Sequence, residues 1–235
     1  MRRFAELAAA LAITAAGALA APAAHADVIS IGLQESSVNG GAITTETSNN
    51  PSTVAGILGV KYGTFSLNSV TAYDTPGLGG LPGLLNTQSI NTSTSTAGTL
   101  TVWITAQGLT GLSGVNEIAS SFTSNALSFQ NPLNGSPASA QMYTYISATN
   151  ELYGGTLLTS TSFTGMGTSN SLNLSPKISG PFSVTEEYVI TATGTGNANL
   201  TTDVSAVPEP GSLAVLASAL LGLTATEWRR RRQRG

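Results

Sequence analysis

The chain has 235 residues, 41% hydrophobic and only 9% charged, with a formal net charge of −3, so it is long enough for one sizeable core and too apolar for general disorder. It contains no cysteine, which excludes a disulfide framework and any thiolate-ligated zinc, and its single histidine is His25.

Taken in chain order, the first segment is an address. Arg2 and Arg3 form a positive start, Leu7 to Ala21 is an apolar, Ala-rich run, and Ala24-His25-Ala26 supplies the small-x-small pattern after which signal peptidase cuts. Residues 1–26 are therefore expected to be a signal peptide and the mature chain to begin at Asp27. Residues 27–206 then carry nine acids against Lys61 and Lys177 alone, a net charge of −7. Every arginine and the histidine fall in the two ends, so no nucleic-acid-binding patch is expected.

The middle of the chain is dominated by strand signals. "TLTVWITA" alternates, with Leu100, Val102, Ile104 and Ala106 on one face and Thr99, Thr101, Trp103 and Thr105 on the other. Further β-rich runs are "VISIGL", "GILGVKYGTFSLNSVTAY", "AQMYTYISA", "TLLTSTSF" and "FSVTEEYVITATG", separated by Gly, Pro and Asn clusters. "TPGLGGLPGLLN" and the polar "NTQSINTSTSTAGT" are expected as loops, and the one stretch with any helical period is 116–122. The expected fold is all-β: an antiparallel sandwich, jelly-roll or immunoglobulin-like, as one domain over 27–206.

Chemistry in this domain is sparse. Without His or Cys it holds no Ser-His-Asp or Cys-His site and no histidine metal cage. Gly77-x-Gly79 and Gly165-x-Gly167 fail as dinucleotide fingerprints because Pro82 and Asn170 stand at the third position. Ser175-Pro176-Lys177 lacks the spacing of a serine–lysine nucleophile, and no Asp-x-Asp run gathers calcium ligands. No cofactor, metal or catalytic residue is expected. A carboxylate pair for glycoside hydrolysis would have to come from distant acids, such as Glu151 with Glu186, because adjacent Glu186 and Glu187 point to opposite faces of a strand. Trp103, Tyr143, Tyr145 and Tyr153 are the candidate ligand face: in strands such aromatics either pack across the sheet or expose a ring on which a sugar stacks.

The run "FSVTEEYVITA" sets a carboxylate among apolar residues. Strict alternation puts Phe182, Val184, Tyr188, Ile190 and Ala192 on one apolar face, and Glu186 with them. A carboxylate there must be turned out by a bulge, satisfied by hydrogen bonds, or part of a site.

The chain ends in Val207-Pro208-Glu209-Pro210, sixteen uncharged residues from Gly211 to Thr226, Trp228, and the basic run Arg229, Arg230, Arg231, Arg232 and Arg234. The apolar run is slightly shorter than the ~20 residues of a comfortable bilayer span, and the arginines would hold its end in the cytoplasm. The two prolines lack amide donors and keep the motif extended and open to a protease. This order of motif, apolar span and basic tail resembles the PEP-CTERM sorting signal of exported bacterial proteins, over residues 207–235. The resemblance implies recognition by an exosortase, a membrane cysteine protease, with cleavage at or near the motif. It also implies a Gram-negative host, a transient inner-membrane anchor, and a final place at the cell surface or outside the cell with exopolysaccharide or biofilm. The functional expectation is a surface or matrix protein with a structural or adhesive role. A carbohydrate-binding module is the alternative, and a carboxylate-dependent hydrolase the third.

Overall fold

A computed structural model describes residues 26, 28–47, 54–73, 83–110, 112, 115–129 and 138–208. Most of the expected signal peptide (1–25), Asp27, and the tail from Glu209 onward, including Pro210, the apolar run and the arginines, lie outside the described residues. Among the described residues no helix is long and apolar enough to cross a membrane.

The regular structure of the described residues is all strand, apart from one 3-10 turn at Asn39–Gly41. The strands are β1 (Val28–Gln34), β2 (Thr44–Thr47), β3 (Val54–Tyr62), β4 (Phe65–Tyr73), β5 (Gly83–Thr94), β6 (Gly98–Leu109), β7 (Val115–Phe129), β8 (Ser139–Ser147), β9 (Thr156–Phe163), β10 (Gly167–Leu174), β11 (Phe182–Ala192) and β12 (Gly196–Pro208). They form two six-stranded sheets, the first in the order β2-β1-β6-β11-β8-β9 and the second β10-β7-β12-β5-β4-β3.

The order decides between the two expected sandwiches. From β5 onward the antiparallel partners are β5 with β12, β6 with β11, β7 with β10 and β8 with β9. A long ribbon of four strand pairs is thus folded over so that successive pairs fall in alternate sheets, which is jelly-roll winding. Strands β1 and β2 widen the first sheet beside β6, and β3 and β4 widen the second beside β5. The inward rows are apolar: Ile29, Ile31 and Leu33 of β1, Leu100, Val102, Ile104 and Ala106 of β6, and Val184, Tyr188, Ile190 and Ala192 of β11 all lie in the core.

Three sequence expectations need correction. Residues 86–99, expected as a polar loop, are mostly β5: its threonines are β-branched, and Thr87, Thr92 and Thr94 point inward with their hydroxyls satisfied by Glu186, the Ser66 carbonyl and the Thr64 carbonyl. Residues 116–122 are strand, not helix, because Ile118, Ser120 and Phe122 alternate into the core. Leu84 and Leu85, placed in a loop, are fully buried at the start of β5, where the pairing with β12 slips by one residue. Leu78 and Leu81 lie outside the described residues.

Glu186 stays in register. The only irregularity between β11 and β6 falls at Phe182/Val184, so alternation carries Glu186 into the core, where it is fully buried. The side-chain hydroxyls of Thr87, from the opposite sheet, and Tyr188 (2.8 Å for Tyr188) both donate to its Oε2, while Oε1 has no partner among the described residues. Thr87 reaches it because Gln88 is an extra residue in β5: Thr71 pairs with Ser89 but Ala72 with Thr87, so Thr87 and Ile90 both face inward. Beside Glu186 in register, Thr144 of β8 shares a 3.1 Å hydrogen bond with Ser120 of β7, a second polar link between the sheets. Burial pushes the Glu186 carboxyl well above its ordinary value, the two hydroxyl donors pull it back only in part, and the charge of Asp203 adds to the rise.

Two measurements check this description. Because the folded state keeps the Glu186 proton above the ordinary value of 4.5, the group's contribution to stability is complete below that pH and is lost as pH rises through the raised folded value. Glu186→Gln, neutral at every pH, is expected to flatten the fall of melting temperature between acid and neutral pH, and Glu186→Ala to cost ~2–4 kcal/mol against ~1 or less for Glu187→Ala. Equal, negligible shifts in thermal unfolding for the two alanine variants would place Glu186 in solvent.

The second concerns the β3–β4 turn. Gly63 has φ +60°, and a Cβ there would lie 1.7 Å from Oε2 of buried Glu35, whose carboxylate accepts from Thr64 N (3.0 Å) and Thr64 Oγ1 (2.7 Å). Gly63→Ala is expected to destabilise by more than ~1 kcal/mol. Part of that cost should vanish when Glu35 is also alanine, a coupling that a double-mutant cycle of unfolding free energies reads directly.

Candidate functional site

The outward face of the first sheet is where the sequence-selected aromatics meet. Register places Gly32 (β1), Trp103 (β6), Glu187 (β11), Tyr143 (β8) and Ser160 (β9) in one row across five strands. The neighbouring row is Ser30, Thr105, Thr185, Tyr145 and Leu157. Since every second residue of a strand faces outward, both rows follow from the alternation that puts Val102, Ile104, Val184 and Glu186 inside.

Part of the second row is roofed by the segment between β8 and β9. Tyr153 N donates to Thr105 Oγ1 (3.2 Å) and Gly154 N to Thr185 Oγ1 (3.4 Å), while the two threonine hydroxyls share a 2.9 Å bond. Asn150 is tied to β6 on two sides: Gly108 N donates to its Oδ1 (2.8 Å), and Gln107 Nε2 to its carbonyl (2.8 Å). Ser183 Oγ donates to the Glu151 carbonyl (2.6 Å). Thr105 and Thr185 are buried beneath this segment although they lie on the outer face, and Ser30, next to Thr105 in register, is buried too.

The same segment delivers Tyr153. Its backbone is left-handed, with φ +56°, and Gly154 and Gly155 follow at φ +134° and +120°. The ring settles where Gly32 has no side chain: a Cβ on Gly32 would stand 2.7 Å from Tyr153 Cζ. There it lies beside Trp103, ring centroids 6.2 Å apart and planes tilted by 47°. Trp103 Nε1 is buried without a partner among the described residues, so packing rather than a hydrogen bond sets the indole's position.

Across Glu187, Tyr143 and Tyr145 form a second pair, stacked at 23° with centroids 6.2 Å apart. Tyr145 Oη donates to Glu187 Oε2 at 2.7 Å, and Tyr143 Oη donates to Gln141 Oε1 at 3.0 Å. Trp103, Tyr143, Tyr145, Tyr153 and Glu187 are all half-buried. Burial raises the carboxyl of Glu187 above its ordinary value, opposed by the Tyr145 hydrogen bond; it raises the Tyr145 phenol strongly, and Glu187 raises it further. A carboxylate is therefore held between two aromatic pairs on one sheet face.

The four aromatics chosen from sequence thus come together, while Glu187 and Gly32 were not chosen. Glu187 was legible in principle, because alternation opposes it to Glu186. Gly32 was not, since nothing local marks it as the seat of a ring 121 residues further on. Glu151 and Glu186 do not meet: Glu151 is exposed on the outer-face segment and Glu186 points between the sheets, with β11 itself intervening. Among the described residues no group of His, Cys, Asp or Glu side chains could hold a metal. A shallow depression of ≈ 340 Å³ on the second sheet is lined by Ala119, Ser121, Asn170, Leu172 and Asp203, and Asp203 is held there by Asn86 and Ser205. Of the residues expected to form the sorting motif, Val207 and Pro208 close β12. Ala26 is buried just before β1, and Ala24 is outside the described residues.

No family model and no curated protein matches this chain. Among solved structures it is similar to the K1 adhesin domain of Lys-gingipain from Porphyromonas gingivalis W83, at 10% identity over 68% of this chain and 93% of that one, TM-score 0.35. It is also similar to a carbohydrate-binding module studied for specific mannan recognition (9% identity, 67% and 90% covered, TM-score 0.30). A family 11 carbohydrate-binding module from Clostridium thermocellum shows the same level of similarity (10%, 76% and 98%, TM-score 0.31). Similarity this low adds nothing to the strand order, which defines the jelly roll by itself.

Gly32 tests the geometry of the face. Gly32→Ala is expected to push the Tyr153 ring off its seat and to cost ~1–3 kcal/mol of stability. Trp103 is the sole tryptophan of residues 27–206, so its fluorescence should shift to the red as it loses that cover. Unchanged emission would mean that Tyr153 does not cover the indole.

Proposed function

We propose that this chain is an exported surface or matrix protein whose jelly-roll domain holds extracellular polysaccharide on the outward face of the first sheet. The observation that carries the reading is the placement of Glu187 between the Trp103–Tyr153 and Tyr143–Tyr145 pairs. Sugar rings present apolar C–H faces that stack on aromatic rings and hydroxyls that bridge to carboxylates, so rings flanking an acceptor suit an extended glycan. Trp103, Tyr143, Tyr145 and Glu187 sit on strands, and the segment that carries Tyr153 is tied to β6 and β11 by hydrogen bonds, which favours a preformed surface. The domain has no described catalytic pair of carboxylates, and binding is the role this face supports best.

Export and processing form the second half of the proposal, and the terminal sequences support it. Signal peptidase would release the chain at Asp27, and an exosortase would act at Val207-Pro208-Glu209-Pro210 after a transient inner-membrane stop set by Arg229, Arg230, Arg231, Arg232 and Arg234. The described fold is compatible with this, because β12 ends at Pro208 and the described residues through Val207 belong to one compact unit with its own core.

Each half has its experiment. Trp103→Ala and Tyr143→Ala in the domain are each expected to weaken binding to a soluble polysaccharide tenfold or more, about 1.4 kcal/mol, with little change in melting temperature for Tyr143→Ala. A glycan array without any ligand would return the domain to a structural role. Pro208→Ala with Pro210→Ala is expected to leave an unprocessed, membrane-associated chain in the native host. Intact-mass analysis showing normal trimming would remove the sorting assignment.

A further inference from the structure

We infer that the face selects glycans bearing protonated amines, of the glucosamine type, over neutral and acidic ones. This rests on the polysaccharide-binding reading above and adds the charge class of its ligand.

Neither outward row contributes a lysine or arginine, and residues 27–206 hold only Lys61, on β3 of the opposite sheet, and Lys177, between β10 and β11. Among the described residues Glu187 has no ion pair, and its one hydrogen-bond donor is the neutral hydroxyl of Tyr145, on Oε2. Oε1 has no protein partner among the described residues. A half-buried carboxylate without a counter-charge is costly, and a cation arriving from outside relieves that cost.

The neighbours favour an organic cation. Trp103 and Tyr143 stand directly beside Glu187 in register, so an ammonium meeting Oε1 also meets aromatic faces on both sides, and cation–π attraction adds to a charge-assisted hydrogen bond. Carbonyl and carboxylate ligands for a metal do not gather here: Glu187 is the single acid in the two rows. An amine on a sugar ring supplies the cation and a stacking face in one residue. A uronate chain, by contrast, would bring like charge to Glu187 within a domain of net charge −7, with no basic group to receive it.

Isothermal titration of residues 27–207 with four oligosaccharides tests this: a β-1,4-linked glucosamine tetramer, its fully N-acetylated form, a cello-tetraose and an oligogalacturonate. The expected result is at least tenfold tighter binding of the glucosamine tetramer than of either neutral oligomer, and none of the galacturonate. Glu187→Gln, which preserves shape and the Tyr145 contact, should abolish the preference while neutral oligomers bind as before, and Trp103→Ala should weaken all of them. Equal binding of amine and neutral oligomers, with loss in Trp103→Ala, would overturn the charge inference and leave the polysaccharide-binding face standing. A preference that survives Glu187→Gln would also overturn it, by assigning selectivity to overall charge. Absence of binding by any oligomer would overturn both readings.

Discussion

The sandwich is joined across its core at a carboxyl group. Glu186 of β11 accepts from Thr87 of β5 and from Tyr188 beside it, so the two sheets meet through hydrogen bonds as well as apolar contact. That arrangement requires β11 to run without a bulge between Val184 and Ala192, and β5 to carry one at Gln88. An unbroken β11 in turn presents Glu187, the next residue, to the outside. The position of the outer-face acid is therefore fixed by the burial of its neighbour, and the candidate ligand surface inherits its register from the core.

Polar cores of this kind follow from composition. With Ser, Thr and Asn filling the strands, many buried hydroxyls are paired: Ser120 with Thr144 between the sheets, Thr92 and Thr94 with carbonyls of the β3–β4 hairpin, and Thr105 with Thr185 beneath the outer-face segment, while those of Ser124 and Thr202 have no partner among the described residues. Each pair keeps a β-branched or small side chain where a purely apolar core would place valine. The cost of removing one partner is then larger than the pair's net contribution, because the other is left buried and unsatisfied.

This composition also explains what could be read in the sequence. Strands β1, β3, β4, β6, β8, β9 and β11 are plain from β-rich runs and period two. Strands β2, β5, β7, β10 and β12 carry Ser, Thr or Asn on both faces, which blurs the hydropathy contrast even where Ile90, Ile118, Phe122 and Leu200 point inward; "NTSTST" is strand because of where its hydroxyls find partners. The aromatic face was half legible: Trp103, Tyr143 and Tyr145 sit on strands whose parity could be counted. Tyr153 reaches it from a segment with left-handed residues that is tied down by contacts to Thr105 and Gly108, both remote in sequence. The jelly-roll order was not legible, because it depends on which of many similar strands pair.

The central place of β12 in the second sheet has a mechanical meaning. A pull on the C-terminal end of this domain loads β12, which is flanked by β7 and β5 and so is held by ladders on both edges. Tension directed along such a strand must shear both ladders together, whereas an edge strand such as β3 or β10 can be peeled one bond at a time. The two slips in pairing with β5, at Leu200/Thr202 and Val204/Ser205, divide one ladder into short runs, and the last of these, nearest Pro208, is where yielding would begin. A chain held by this end would thus lose a few residues of β12 early, lengthening its tether, before the body of the sandwich gave way.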